Sequence, residues 1–178
     1  IGVLTFLSKN NQKNNSAADM ALGIALVNLD KGDFSTVSFQ LENIINDFES
    51  TPSADLAYYY LGKRKFDNNE MDLAQKHIES YLESKTSHIL HVPASKLLAD
   101  IYAQKGNNSY ALKVIDASLK NCDDSFDCRS LKLKKALFLI EQGEAEIANK
   151  ILNEFLDQID VEPSQKQLAE EIMGKLIG

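Results

Sequence analysis

Four stretches of the 178-residue chain superimpose when each is shifted by 37 residues. With Ala18, Asp55, Val92 and Arg129 at position 1, position 8 reads Ala25, Gly62, Ala99 and Ala136. Position 20 reads Val37, Ala74, Ala111 and Ala148, and position 15 between them reads Gly32, Asn69, Gly106 and Gly143. Small side chains recurring at two fixed points, with a turn former midway, are what two antiparallel helices need where their backbones cross closely. Helix pairs stacked in this way make a surface for holding other polypeptides, not a pocket for chemistry.

Each unit reads as a helix A, a tight turn, a helix B and a connector. The first pair runs over 20–29 and 34–48, the second over 56–66 and 71–83, the third over 93–104 and 109–120, the fourth over 130–141 and 144–159. The apolar residues Phe34, Val37, Leu41, Ile44, Ile45 and Phe48 repeat at the three-to-four spacing of one helical face. Pro52 reads as the stop of that helix and Ser53 as the cap of the next. Pro93 suits a first helical turn. After Glu162-Pro163, Ser164 and Gln167 resemble a capping box opening a last helix over 165–177. Leu168, Ile172, Leu176 and Ile177 on that helix would cover the exposed end of the array. The expected fold is therefore all-α, one domain over 17–178, with repeats at about 18–54, 55–91, 92–128 and 129–162 and a capping helix over 164–177.

Hydrophobic residues at 44% and charged residues at 25% are the balance of a globular chain. A formal net charge of −7 argues against nucleic acid as the main partner, since duplex binding needs a basic stripe to displace counterions. Cys122 and Cys128 fall between the third and fourth units, close enough in sequence to be bridged. Such a loop would gain about 2 kcal/mol from cross-linking, and the bond would persist only in an oxidising compartment. Two unpaired thiols are the other reading; a zinc site lacks a second ligand pair at suitable spacing. At the amino end, the apolar residues 1–7 precede a polar string over 8–16. Seven residues are too few to cross a bilayer, which takes about twenty. They read either as the end of a spanning helix followed by a spacer, or as a chain boundary or frayed helix packed on the first repeat.

The residues that recur resemble the tetratricopeptide repeat (TPR) family. The second unit carries Tyr58, Leu61, Gly62, Met71, Ala74 and Tyr81 at that family's positions. The third adds Leu98, Ala99, Tyr102, Gly106 and Ala111, and the first contributes Gly32-Asp33-Phe34. The resemblance covers about 18–156 and departs from the family in its longer period, its scarce terminal prolines and Val37 in place of alanine. It implies a right-handed solenoid of four helix pairs. The apolar amino end, polar spacer and four repeats also resemble the YfgM-like family of bacterial inner-membrane proteins. That likeness implies a periplasmic adaptor or chaperone-associated accessory of secretion, held at the inner membrane by an N-terminal anchor. The alternatives are a subunit of an envelope or outer-membrane assembly complex, and the regulatory segment of a larger protein.

In the TPR family, set positions of each helix A face the concave side. Here they include Leu22, Leu26 and Leu29, then Tyr59, Lys63 and Phe66, then Lys96, and finally Leu133, Leu137 and Ile140. A groove so apolar marks either a binding face or a covered one. It would take an amphipathic helix or apolar segment of a protein partner, or be packed internally, or be covered by a second copy in a homodimer. Leu22, Leu26 and Tyr60 stand where a carboxylate clamp would need polar groups. His77 reads as a solvated residue of a helix B. His88 and His91 lack a matched carboxylate for a metal, and Glu144, Glu146 and Glu154 read as solvated faces. No phosphate-cradling loop appears. A non-enzymatic protein without cofactor or metal is expected.

Overall fold

The computed structural model describes residues 2–84, 89–120, 122 and 125–176, with side chains from residue 11 onward. Among the described residues there are nine helices and no strand. They are α1 (Gly2–Asp30), α2 (Phe34–Asp47), α3 (Pro52–Asp67), α4 (Met71–Glu83), α5 (His91–Gln104), α6 (Asn108–Leu119), α7 (Phe126–Glu141), α8 (Ala145–Leu156) and α9 (Pro163–Gly174). The fold is all-α and TPR-like. It divides between Leu90 and His91 into two compact units, the first holding α1–α4 and the second α5–α9.

The sequence period reappears in the backbone. Gly32, Asn69, Gly106 and Gly143 all take positive φ, between 63° and 80°. Glycine and asparagine tolerate this left-handed conformation, which lets the chain reverse directly after a helix. In each case that residue's N–H bonds to the carbonyl three residues back, and the next N–H to the carbonyl five back, as in Asn69 to Phe66 and Glu70 to Lys65. Those next residues, Asp33, Glu70, Asn107 and Glu144, then begin the following helix. Their carbonyls accept from Val37, Ala74, Ala111 and Ala148. Their φ values lie between −97° and −81° and their ψ values between 51° and 70°. One turn has been used four times.

The small residues lie where the helices cross. Ala25, Ala99 and Ala136 are fully buried, as are Ala74, Ala111 and Ala148, and Val37 nearly so. Gly62 is buried too. A β-carbon there would come within 2.7 Å of Ile78 Cδ1 and 3.2 Å of His77 Cβ, so α3 and α4 pack at a distance only glycine permits. In the first unit α1 packs on α2 and α3, and α3 on α4. Around them Leu22, Leu41, Ile44, Ala54, Ala57 and Leu61 form one core. In the second unit α7 packs on α5, α6, α8 and α9. Its interior is built on Ile115 and Leu131 on one side and on Leu152, Phe155 and Ile172 on the other.

Several helix starts differ from the sequence reading, two of them because of proline. Pro52 is not a stop but the first residue of α3, and Thr51, not Ser53, caps it by accepting from Ala54 N–H at 3.1 Å. Pro163 likewise opens α9. Ser164 lies inside the helix and forms no capping box, and Gln167 bonds Glu171 instead. Proline's fixed φ and missing N–H suit a first helical position, so each proline marks a beginning. Ser125 caps α7, which starts before the expected Ser130 and takes Cys128 into its first turn. On α9 the buried residues are Gln165, Ala169 and Ile172, whereas Leu168 is exposed; Ile177 lies outside the described residues. The polar string over 8–16 is part of α1, not a separate spacer. Among the described residues no helix is long and apolar enough to cross a membrane.

Candidate functional site

The ten expected groove residues divide into three kinds. Leu22 and Leu133 are buried, the first in the core of unit one and the second in that of unit two. They are corrected from surface to core, because the pattern of helix A places them against the partner helix. Leu26 and Leu29 are half-buried against the first core, and Ile140 against one core of the second unit. Tyr59, Phe66, Lys96 and Leu137 are also half-buried, and Lys63 is exposed.

In the first unit the aromatic side chains of α3 are fixed by one another. Tyr59 meets Tyr60 edge-on at 5.4 Å between ring centres and Tyr81 of α4 at 5.8 Å. Tyr81 is buried, and its hydroxyl accepts from Leu90 N–H at 2.8 Å, which satisfies the one polar atom it takes inside. Burial, then Tyr60, Tyr81 and Asp67, push the Tyr59 phenol above its ordinary value, so it remains a neutral donor. Beyond it, Lys63 pairs with Asp67 at 3.1 Å, and the Arg64 guanidinium lies 3.9 Å over the Phe34 ring. An apolar and aromatic face bounded by cations results.

In the second unit the polar members gather between α5 and α7. Lys96 Nζ donates to Ser130 Oγ at 3.2 Å, and the Ser130 hydroxyl donates to the Asp127 carbonyl at 2.7 Å. Lys134 pairs with Asp100. Burial, with Lys134 acting in the same direction, holds the Lys96 ammonium below its ordinary pKa, while Asp127 and Asp100 oppose. Leu137 and Ile140 continue α7 beyond this cation.

The structure also places residues read for other chemistry. Cys122 and Cys128 lie as a pair with Cα atoms 5.8 Å apart, a separation a disulfide spans. His77 is corrected from solvated to half-buried. The close approach at Gly62 brings its ring to 6.0 Å from that of Tyr58, with Nδ1 buried and without a hydrogen-bond partner. His91 opens α5 with Nδ1 3.5 Å from Ser118 Oγ, and His88 lies outside the described residues. Tyr60 and Tyr81 belong to the aromatic face but were not read as part of it; their place beside Tyr59 comes from the packing of α3 on α4.

Helix pairs joined by one repeated turn, with half-buried aromatic and aliphatic side chains on their first helices, define a helical-hairpin repeat protein that presents faces to other chains. The chain matches the tetratricopeptide repeat-like domain over residues 1–171 and belongs to that family. A comparison with curated proteins gives no match. Among solved structures, a putative kinesin light chain with nearly identical TPR-like repeats from Podospora anserina has a TM-score of 0.65 at 14% identity, covering 92% of this chain and 94% of that one. MamA has 0.58 at 15%, covering 94% and 82%. A chain of the Cut9–Hcn1 assembly of the APC/C has 0.64 at 15%, covering 86% of this chain and 29% of that one. At such identities the likeness is one of fold.

Proposed function

We propose that this scaffold is an adaptor of the bacterial cell envelope, acting at the periplasmic face of the inner membrane and anchored there through its amino end, as in the YfgM-like subgroup. It captures an amphipathic or apolar segment of a protein engaged in secretion, without catalysis, cofactor or metal. The observation that carries the reading is the half-buried set Leu26, Leu29, Tyr59 and Phe66 in one unit and Leu137 and Ile140 in the other, edged by Lys63 and Lys96. Within each unit, apolar groups left partly open on the first helices, α1 and α3 in one and α7 in the other, are suited to a helix laid along them. The paired cysteines support the compartment, since a disulfide between them would be reduced in the cytosol.

A photocrosslinking residue at Lys63 or Lys96, in the full chain in its native envelope, should join the adaptor to a partner. Adding Leu137→Glu should remove the adduct from position 96 while circular dichroism stays unchanged; an adduct that survives would put capture elsewhere. Mass spectrometry without reductant should find Cys122 joined to Cys128. Free thiols in protein taken from the envelope would remove the compartment argument.

A further inference from the structure

Helices α6 and α8 both pack against α7, and among the described residues their backbones do not approach each other. Where they diverge, the second unit keeps a hollow of about 220 Å³. Its apolar lining is Leu119, the last residue of α6, with Ile151 and the buried Phe155 of α8. Lys132 and Lys135 of α7 line it too, both half-buried, as does Gln158 just beyond α8. At about 100° of turn per residue, these two lysines lie on the other side of α7 from Ser130, Lys134 and Leu137. The hollow is therefore separate from the face that Lys96 edges.

Three features define the chemistry of an occupant. The first is size. Sites for whole small molecules begin at roughly 300 Å³, so this one takes a group no larger than an amino-acid residue, with an aliphatic side chain against the apolar lining. The second is charge. Two ammoniums and one carboxylate, that of the exposed Glu154, line the hollow in a chain whose formal net charge is −7. Glu154 lies 3.9 Å from Lys150, which does not line it. An ammonium has three donors, so Lys135, which bonds Asp116 at 2.7 Å, still has donors to give an anion. The third is an acceptor. The side-chain oxygen of Gln158 is buried without a hydrogen-bond partner. Such an oxygen is costly unless an N–H reaches it.

An aliphatic side chain, a carboxylate and an adjacent N–H occur together in the last residue of a polypeptide. We propose that this hollow binds the free carboxyl terminus of a protein that ends in an aliphatic residue. The carboxylate meets Lys132 and Lys135, the side chain lies against Leu119, Ile151 and Phe155, and the last amide donates to Gln158 Oε1. A fatty acid offers the anion and the apolar group but no N–H, and its chain exceeds the space. This site is additional to the adaptor faces and does not depend on them.

The test is an NMR titration of the isotope-labelled full chain with a short glycine peptide ending in leucine. The free-acid peptide should bind saturably and shift the amide signals of Leu119, Ile151 and Gln158. The same peptide with an amidated end should bind about tenfold more weakly, the scale of one lost charge-assisted bond. Isocaproate, which has the side chain and carboxylate of leucine but no N–H, should also bind more weakly than the peptide. Lys132→Gln combined with Lys135→Gln should cut affinity about tenfold or more. Lys113→Gln, a loss of charge elsewhere on α6, should leave affinity unchanged. No saturable shift at those residues would overturn the proposal, as would an amidated peptide that binds as tightly as the acid. Affinity that survives the paired lysine change, or falls as far with Lys113→Gln, would overturn it too. Isocaproate binding as tightly as the peptide would exclude a polypeptide terminus as the ligand.

Discussion

Asn69 holds a φ of 63° where the other three units have glycine. Asparagine adopts this conformation more readily than most residues but still at some cost. Asn69→Gly should therefore stabilise the fold by several tenths to about 1 kcal/mol, and Gly143→Ala should destabilise it by about 1 kcal/mol, both read from denaturant midpoints. At Gly62 the limit is space: a methyl group meets Ile78, and Gly62→Ala should cost about 1–3 kcal/mol. These positions were legible in the sequence because a fixed backbone need recurs at a fixed interval. His77 was not legible, since its burial comes from how closely α4 approaches α3. Burial, then Lys76 and Lys65, lower its pKa from the ordinary 6.5, with Glu42 opposing. The unfolded chain thus binds the proton more readily than the folded one. His77 imposes no penalty above about pH 6.5, and one grows as pH falls from there toward the lowered value. Melting temperature should decline over that window, and His77→Gln should flatten the decline.

Helix starts show what local chemistry does at the scale of one element. Thr51 and Ser125 each accept an N–H of the first turn, so Thr51→Ala should cost about 1 kcal/mol in chemical unfolding. The sequence reading found the ends of the first helices and the starts of the second, which the repeated turn fixes. It misplaced the starts of α3 and α9 because proline has two opposite meanings, ending a helix it would interrupt and opening one it can begin. The start of α7 was missed because the cysteines drew residues 122–128 into the connector. In the structure Cys128 is helical and Cys122 is not, so a bond between them would tie the connector to the first turn of α7. Replacing both by serine should lower stability by about 2 kcal/mol and leave the helix content unchanged.

For the whole molecule, the helical class and the four hairpins were readable from periodicity, whereas the binding faces were readable only in part. Helix A of a repeat packs on its own helix B and on a neighbouring helix A, so an apolar residue there has several destinations. Leu22 and Leu133 went to the cores, while Leu26 and Leu137 remain partly open, and spacing alone does not distinguish them. Leu26→Glu combined with Leu137→Glu should abolish partner capture in a pull-down while circular dichroism is retained; persistent capture would exclude these faces. The repeated turn bears on which changes of length the chain tolerates. Asp33, Glu70, Asn107 and Glu144 each close one helix with their N–H and open another with their carbonyl. A single inserted residue there would break both ends together, so relatives that differ in length should gain or lose residues between hairpins and hardly ever within them.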